Sequence, residues 1–354
     1  MSKKGDIMHL WREAYKDSPE YLDMYFDRIY RDADALTVEE DGKAVSSLLL
    51  QPYGLWFYGR EMPVSYIAGV TTRRQARGRG YASSLLREAL RLSRERGDMM
   101  CALIPAHGWL YYFFERFGFS PVFLADVQRF TSQHKFAGEG EYDEVSDLYS
   151  DAVYEAFAAL ERRRPGGILH TRRDFMNFLD DLTMRPEGTF TVVSSGERGV
   201  VAMAWASLSD DVVQVYEVLG YESADRLAAM RQLRSRFPGK PMRYLAPSDT
   251  PGHRRLYPRG MARIVNVPMC LAAVAEANSQ WSYRIRVTDP LIEENNVSLA
   301  IARGRCEETA DTAPDGFDFD VNIDVLNRIV FSSESTGSVL GFPSRRTHIS
   351  LMPH

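Results

Sequence analysis

The sequence predicts an α/β protein with mixed sheets, organised in several domains. Three observations support this prediction. Apolar strands alternate with amphipathic helices through most of the chain, and near residue 80 a strong strand runs through an arginine-glycine loop into a helix. The final part of the chain changes to short alternating strands. A length of 354 residues with 45% hydrophobic content also supplies more core than one domain usually holds.

Composition and charge exclude several classes of protein. The formal net charge of -5 gives no chain-wide basic field, so we expect no nucleic-acid partner. Cys101, Cys270 and Cys306 form no CxxC pair and no HExxH motif occurs, so the sequence predicts neither a metal site nor a disulfide framework. No run of about 18 apolar residues is present, and we expect a cytoplasmic protein without membrane contact.

The first domain is predicted to span residues 1–130 and to begin with two amphipathic helices, of which "SPEYLDMYFDRIYRD" is the second. "KAVSSLLLQPYGLWFYG" is expected to form a strand, a turn and a second strand, and "MPVSYIAGVTT" a third. A helix with a buried apolar stripe follows over roughly Gly80 to Arg96. A short buried strand, an aromatic helix and a returning strand complete this predicted unit.

Two further domains are predicted. Residues 131–269 follow the same order of elements without usable residue identity, so the repeat is architectural. One helix of this unit, "SADRLAAMRQLRSRF", is expected to be capped by Ser223. Residues 270–354 are predicted to form a small α+β domain, because half-exposed strands precede a short helix there.

The loop between the third strand and its helix reads Gln75-x-x-Gly78-x-Gly80-x-Ala82. It is neither a Walker loop nor a GxGxxG fingerprint, because the lysine and the third glycine are absent. Small residues let backbone amides approach an anion, and the helix N-terminus adds about half a positive charge. A solvated basic turn or an arginine-glycine contact to nucleic acid is the alternative. The strand before the loop and the helix after it favour a pyrophosphate site.

This motif resembles motif A of the GNAT acetyltransferases, and "YYFFERFGFSPV" resembles the helix and GF segment that follow in that family. The resemblance implies acetyl-CoA as co-substrate and no metal. It places the pyrophosphate on the loop, and the pantetheine arm and acetyl carbonyl on the strand edge. The matching positions are Ala76, Arg77, Gly78, Arg79, Gly80 and Tyr81 in the loop and Ala68, Gly69 and Val70 on the strand.

The layout of the whole chain resembles the enhanced-intracellular-survival (Eis-like) family. Those acetyltransferases join an active GNAT domain, a degenerate GNAT domain and a sterol-carrier-like domain. The resemblance implies the same three parts here, and a hexamer. In the second unit Glu217 and Glu222 stand near the place of the arginine-glycine loop, where like charge would repel phosphate. We therefore expect one CoA site per chain.

Acetyl transfer to an amine needs a base for the ammonium proton and, for the leaving thiolate, an acid. The tyrosine that the family uses as acid corresponds to Phe114, which has no proton to give. Tyr111 lies three residues earlier on nearly the same helix face and is the candidate substitute, with a packed aromatic as the alternative. The resemblance implies the C-terminal carboxylate as base, here that of His354. An ordinary mobile terminus is the alternative.

The acceptor site is less specified by the sequence. Glu20, Asp23 and Asp27 are candidate carboxylates for a cationic amine, and Trp11 and Trp56 are candidate aromatic walls, with a solvated face or the core as the alternative. The predicted activity is acetyl-CoA-dependent N-acetylation of a cationic, aminoglycoside-like small molecule or of a lysine side chain. The alternative is a non-catalytic CoA-binding or lipid-binding scaffold, which the missing acid tyrosine favours.

Overall fold

The computed structural model describes residues 2–164, 166–185, 187–247, 256–310, 316–331, 347–350 and 352. These residues form two compact units. The first combines Met1–Phe123 with Arg259–Thr347, and the second combines Leu124–Pro258 with His348–Met352. The predicted α/β fold with mixed sheets is confirmed. The limits of the three predicted domains remain predictions.

The elements alternate between strands and helices along the chain. Up to residue 130 they are α1 (Lys3–Ala14), α2 (Pro19–Met24), β1 (Ala35–Glu40), β2 (Lys43–Phe57), β3 (Arg60–Thr72), α3 (Tyr81–Glu95), β4 (Met100–Leu103), α4 (Gly108–Glu115) and β5 (Ser120–Phe130). Up to residue 247 they are β6 (Asp143–Glu144), α5 (Asp151–Glu161), β7 (Gly167–Leu169), α6 (Arg172–Met184), β8 (Gly188–Ser194), β9 (Val200–Ser209), β10 (Val212–Gly220), α7 (Ser223–Arg236) and β11 (Met242–Pro247). The tail adds β12 (Leu256–Ile264), α8 (Val267–Ala277), β13 (Ser282–Thr288), β14 (Val297–Ala302), β15 (Arg305–Glu308), β16 (Phe319–Asn322) and α9 (Ile323–Phe331).

The main sheet of the first unit holds its strands in the order β1-β2-β3-β4-β12. Neighbours are antiparallel except for β3 and β4, which run parallel. Leu50 and Ile67 from the sheet pack with Leu86 of α3 and Phe114 of α4 in one buried cluster. This packing fixes the loop between β3 and α3 at the end of the parallel strand pair.

Strand β2 differs from its prediction, because the expected strand, turn and strand form one continuous strand. The stretch Gln51–Gly54, where the turn was expected, pairs with β3. Pro52 is tolerated because β1 pairs with β2 only as far as Leu49, so its missing N–H costs no bond to β1. The chain reverses instead at Tyr58 and Gly59, both of which have positive φ.

The second predicted helix also changes form along its length. α2 ends at Met24 and continues as a π-helical turn over Tyr25–Ile29, with the amide of Tyr30 bonded to the Tyr25 carbonyl at 2.9 Å. The wider turn directs the consecutive side chains of Tyr25 and Phe26 into the core together. Such single turns within helices are often found at functional sites.

Arg263 forms a buried ion pair within the tail and also bonds the turn after α4. Arg263 of β12 bonds the Asp289 carboxylate at 2.7 Å and the Phe117 carbonyl at 2.6 Å, and both charged side chains have no exposed area. Asn327 of α9 donates to the Gly118 carbonyl at 2.8 Å. The tail strands form their own sheet in the order β15-β14-β13-β16. The GF segment is therefore positioned by residues more than a hundred places later in the chain.

The second unit has a sheet in the order β11-β10-β9-β8-β6, with the end of β5 antiparallel to β11. The fully buried carboxylate of Glu217 lies 2.6 Å from Arg164 and is also bonded to His348. Burial would raise the pKa of Glu217, but the charges of Arg164 and His348 hold it well below its usual range. The charge of Glu217 is thus neutralised within the unit rather than left to repel an anion.

Candidate active site

The predicted glycine loop has the geometry of an anion site. Gly78 and Gly80 have φ values of +80° and +84°, and a Cβ on either would meet no atom within 4 Å. Only glycine adopts this conformation freely, so the loop backbone is held open. Gly80 caps α3, and no side-chain capping hydrogen bond is found there among the described residues. The positive end of α3 is therefore available to a ligand.

Strand β3 carries a bulge and then leaves β4. Ser47 pairs with Thr71 and Leu49 pairs with Ala68, so one extra residue is accommodated in β3 at Gly69, where φ is +58°. The parallel pairing with β4 ends at Tyr66, although β3 continues to Thr72. Among the described pairs, the β3 edge over residues 67–70 has no partner on the β4 side, which suits it to bind an extended ligand arm.

A pocket of about 450 Å³ opens beside this edge. Its lining comes from α1, from the end of β3 and from the loop, and consists of Leu10, Glu13, Ala14, Thr72, Arg74, Gln75 and Arg77. The pocket thus lies between α1 and the cationic loop, and its lining includes Arg77, one of the positions predicted for the pyrophosphate.

The loop arginines are arranged differently from each other. Arg77 is exposed and bonds the Thr72 carbonyl through Nε at 3.1 Å, which leaves its charge facing the pocket. Arg79 instead lies 2.9 Å from Glu40 of β1, and Tyr81 donates to the same carboxylate. The Tyr81 hydrogen bond and the Arg79 charge lower the pKa of Glu40. Arg79, one of the residues predicted to contact phosphate, is therefore paired with the carboxylate of Glu40.

Replacing Glu40 with glutamine is expected to tighten CoA binding, because Arg79 no longer exchanges a carboxylate for a phosphate. The gain should be at most about 5-fold in Kd, since the Glu40–Arg79 pair is exposed and exposed ion pairs are weak. It should shrink as ionic strength rises. Calorimetric titration with CoA at two salt concentrations measures this. Glu88→Gln, which removes a carboxylate paired with Arg91 on the same helix, is the control. Unchanged or weaker binding would show that Arg79 stays with Glu40.

Phe114 and Tyr111 both contact the core of the first unit. Phe114 is 4% exposed and packs against Phe113 and Phe119, so the family's acid position is a hydrophobic contact here. Tyr111 is half-buried and packs against the same cluster as Val70. Burial raises the pKa of the Tyr111 hydroxyl to about 12, so it stays protonated at neutral pH. The structure thus places a protonated tyrosine in the cluster next to the bulged strand.

The predicted acceptor residues lie at the surface, except for the two tryptophans. Asp27 bonds Lys4 at 2.8 Å and Asp23 lies 3.8 Å from Arg12, while Glu20 is exposed in the first turn of α2. Trp56 is half-buried and Trp11 is fully buried. The structure therefore does not gather the three carboxylates into one cluster with Trp11. His354 lies outside the described residues.

The helix of the second unit that corresponds to α3 has a closed N-terminus. Glu222 caps α7, correcting the expected cap at Ser223, and its side chain bonds the amide of Asp225. The Asp225 carboxylate in turn accepts from the Glu222 amide at 3.1 Å and from Arg198 at 3.0 Å. The carboxylates of Glu222 and Asp225 therefore bond the backbone amides and the Arg198 charge that an anion would need, in contrast to α3.

The sequence interpretation missed two groups at this site. Tyr66 lies at the last β3–β4 pair, where its hydroxyl accepts from the Ile104 amide and burial raises its pKa. Tyr15 of α1 donates to the Val70 carbonyl at 3.4 Å, and burial raises its pKa to about 12. The two-residue period of β3 places Tyr66 and Ala68 on one face, which was the available signal. No comparable pattern pointed to Tyr15.

The bulged strand that parts from its parallel neighbour, the glycine loop and the uncapped helix all lie within the first 122 residues. Residues 2–122 match the family model of the acetyltransferase (GNAT) domain. The chain therefore contains a GNAT acetyltransferase domain. No curated protein matches the sequence.

Solved structures share the fold over most of the chain at low identity. A probable N-acyltransferase from Enterococcus faecalis V583 is 15% identical with a TM-score of 0.74, over 96% of this chain and 90% of that one. Eis1 from Mycobacterium abscessus is 14% identical with a TM-score of 0.74, over 95% and 88%. A GCN5-related N-acetyltransferase from Kribbella flavida is 19% identical with a TM-score of 0.70, over 92% and 85%. At these identities the likeness establishes the fold.

Two further features are absent from the described part of the chain. None of its helices is both long and apolar enough to cross a membrane. Within the same residues, no group of three or more His, Cys, Asp or Glu is placed to hold a metal ion.

Proposed function

We propose that this protein is an acetyl-CoA-dependent N-acetyltransferase acting on a cationic, aminoglycoside-like small molecule or on a lysine side chain. The observation that carries the proposal is the uncapped N-terminus of α3 behind Gly78 and Gly80, next to the unpaired edge of β3. A helix end of this kind binds phosphate through backbone amides, and an open strand edge binds an extended amide-containing arm.

In this proposal each part of the site has one task. Loop residues 76–81 bind the pyrophosphate of acetyl-CoA, with the exposed Arg77 in the pocket lining supplying positive charge. Ala68, Gly69 and Val70 bind the pantetheine arm and hold the thioester at the bulge. The amine and thioester then react within a ternary complex, which removes the entropic cost of bringing them together.

Proton transfer is assigned to two groups. The α-carboxylate of His354 takes the proton that the attacking ammonium must lose, as the Eis-like resemblance implies. Tyr111, whose hydroxyl is protonated at neutral pH, is the group that would supply a proton to the departing thiolate. Phe114 leaves no other hydroxyl at the family position. A thiolate is a tolerable leaving group, so the acid is the less demanding of the two roles.

The test of the function is release of free thiol from acetyl-CoA with a panel of amines that includes aminoglycosides, polyamines and lysine peptides. We expect thiol to appear above the amine-free rate with at least one cationic amine, and acetylated amine to appear in equal amount by mass spectrometry. Arg77→Glu should abolish both at low acetyl-CoA concentration. The absence of thiol release with every amine would overturn the enzyme assignment.

Extending the chain by a single glycine after His354 is expected to lower kcat by about 10²-fold or more, because the terminal carboxylate moves away from the amine. CoA affinity should stay the same, since the cofactor loop is unchanged. The matched control is one glycine added before the N-terminal methionine, measured in the same steady-state assay. Equal turnover in the extended and native chains would remove the carboxylate from the mechanism.

The second candidate is a scaffold that binds CoA or a lipid without turnover, and Phe114 is the observation that favours it. A scaffold would bind CoA in titration yet release no thiol with any amine. Membership of the Eis-like family, with its sterol-carrier-like tail and hexameric assembly, is part of the proposal. The order of a GNAT domain, a second unit with a closed helix end and a tail sheet supports it.

A further inference from the structure

The geometry points to Trp11 of α1 as a catalytic residue that donates a hydrogen bond from its indole nitrogen to the thioester carbonyl oxygen of bound acyl-CoA. This inference rests on the proposed function. It is carried by the burial of Trp11, by its contact with Gly69, and by two further unpaired polar groups beside the bulge in β3.

Trp11 has no exposed area, and its Nε1 has no hydrogen-bond partner among the described residues. An indole N–H can donate and cannot accept. Leaving such a donor unsatisfied in the interior costs about 1–3 kcal/mol, so buried donors are nearly always paired. An unpaired donor in the free protein therefore indicates an acceptor that arrives with a ligand.

The indole ring can pack against the bulge because Gly69 has no side chain. A Cβ built on Gly69 would lie 2.1 Å from Cζ2 and 2.6 Å from Nε1 of Trp11, so no residue larger than glycine fits beneath the ring. The edge of the indole ring that bears Nε1 thus lies at the part of β3 that no longer pairs with β4. The same strand edge is the proposed binding place of the thioester.

Two hydroxyl groups beside the bulge are also unpaired. Ser47 and Thr71 face each other across β2 and β3 at the register pair next to Gly69. Both side chains are buried, and neither hydroxyl has a partner among the described residues. Several unsatisfied polar groups around one bulge indicate a binding place for a polar ligand group.

The donor would act where charge develops. The amine nitrogen forms a bond to the carbonyl carbon while the oxygen becomes negative, and the amine proton goes to the base. The carbon–sulfur bond then breaks and CoA leaves as the thiolate. Trp11 keeps its proton throughout, and its hydrogen bond strengthens as the oxygen gains charge. Because a neutral donor aimed at the oxyanion is stronger in the transition state, it raises kcat rather than affinity.

The first test uses the indole N–H signals of the five tryptophans in a ¹⁵N-labelled protein, with Trp11→Phe to assign one signal and Trp281→Phe as the assignment control. The probes are S-(2-oxopropyl)-CoA, which keeps a carbonyl but cannot transfer it, and S-propyl-CoA, which lacks the carbonyl. We expect the Trp11 signal to move downfield with the first probe only. Equal shifts with both probes, or no shift with bound carbonyl, would assign the donor to the aromatic cluster and overturn the inference.

The second test deletes the donor while keeping the shape of the side chain. Replacing Trp11 by benzothienylalanine, in which sulfur stands for the N–H, should lower kcat by about 10²-fold with CoA affinity unchanged. An unchanged kcat would contradict the inference. Failure of the proposed function is separate, because it would appear as absent turnover in the native protein, whereas the indole signal requires cofactor binding alone.

Discussion

Replacing Gly69 with alanine is expected to destabilise the protein and to abolish most acyl transfer. The left-handed conformation at this bulge costs an alanine about 1–2 kcal/mol. The added Cβ would also lie 2.1 Å from the Trp11 ring, which must move at a cost of about 1–3 kcal/mol. Because the bulge sets the strand edge where we propose that the thioester binds, we expect kcat to fall more than the affinity for CoA.

Urea denaturation and steady-state kinetics of Gly69→Ala measure the two effects. Gly54→Ala is the matched control in β2 of the same strand pair, where the new Cβ would meet only the flexible end of Glu61. Gly54 has no positive φ, so the control carries no backbone strain. Similar losses in the two variants would show that the bulge has no special role.

Replacing Asp289 with alanine is expected to cost about 3–5 kcal/mol in the free energy of unfolding, because it leaves the Arg263 guanidinium buried without its partner. The same carboxylate also accepts from the amides of Leu291 and Ile292 and from the Asn295 side chain, and these donors lose an acceptor too. This variant is therefore the most destabilising single change that we expect in the first unit.

Asp320→Ala is the control, since it breaks the ion pair with Arg286 at the surface of the same tail sheet. Exposed ion pairs contribute little to stability, so the control should unfold at close to the denaturant concentration that unfolds the native protein. A double variant with Arg263→Met and Asp289→Ala should be less destabilised than Asp289→Ala alone, because no unpaired charge remains buried. A mild effect of Asp289→Ala would show that water reaches Arg263.

Local signals in the sequence predicted the parts of the site that lie close together in the chain. Gly78, Gly80 and the apolar stripe after them fall within one turn and one helix, so spacing alone located the loop and α3. The predicted strand into this loop is β3. These features depend on the conformation of one segment, which the residues of that segment determine.

The parts of the site that were not predicted depend on contacts between residues far apart in the sequence. Glu40 pairs with Arg79 across 39 positions, and the sequence around either residue does not predict its partner. The bulge at Gly69 exists only relative to the register with β2. The expected turn in β2 was wrong because pairing with β3 outweighed the local preference of Pro52 and Gly54. The acid at Tyr111 and the terminal base at His354 remain predictions.

The bonds between the tail and the turn after α4 also govern when the protein can finish folding. Arg263 reaches Phe117 across 146 positions, and Asn327 reaches Gly118 across 209. Closing such long loops is slow because chain entropy is lost before the contacts form. At roughly 5–20 residues per second of synthesis, the turn waits roughly 10–40 s for Asn327 to leave the ribosome. A nascent chain halted before the tail would thus expose an unfinished first unit to chaperones.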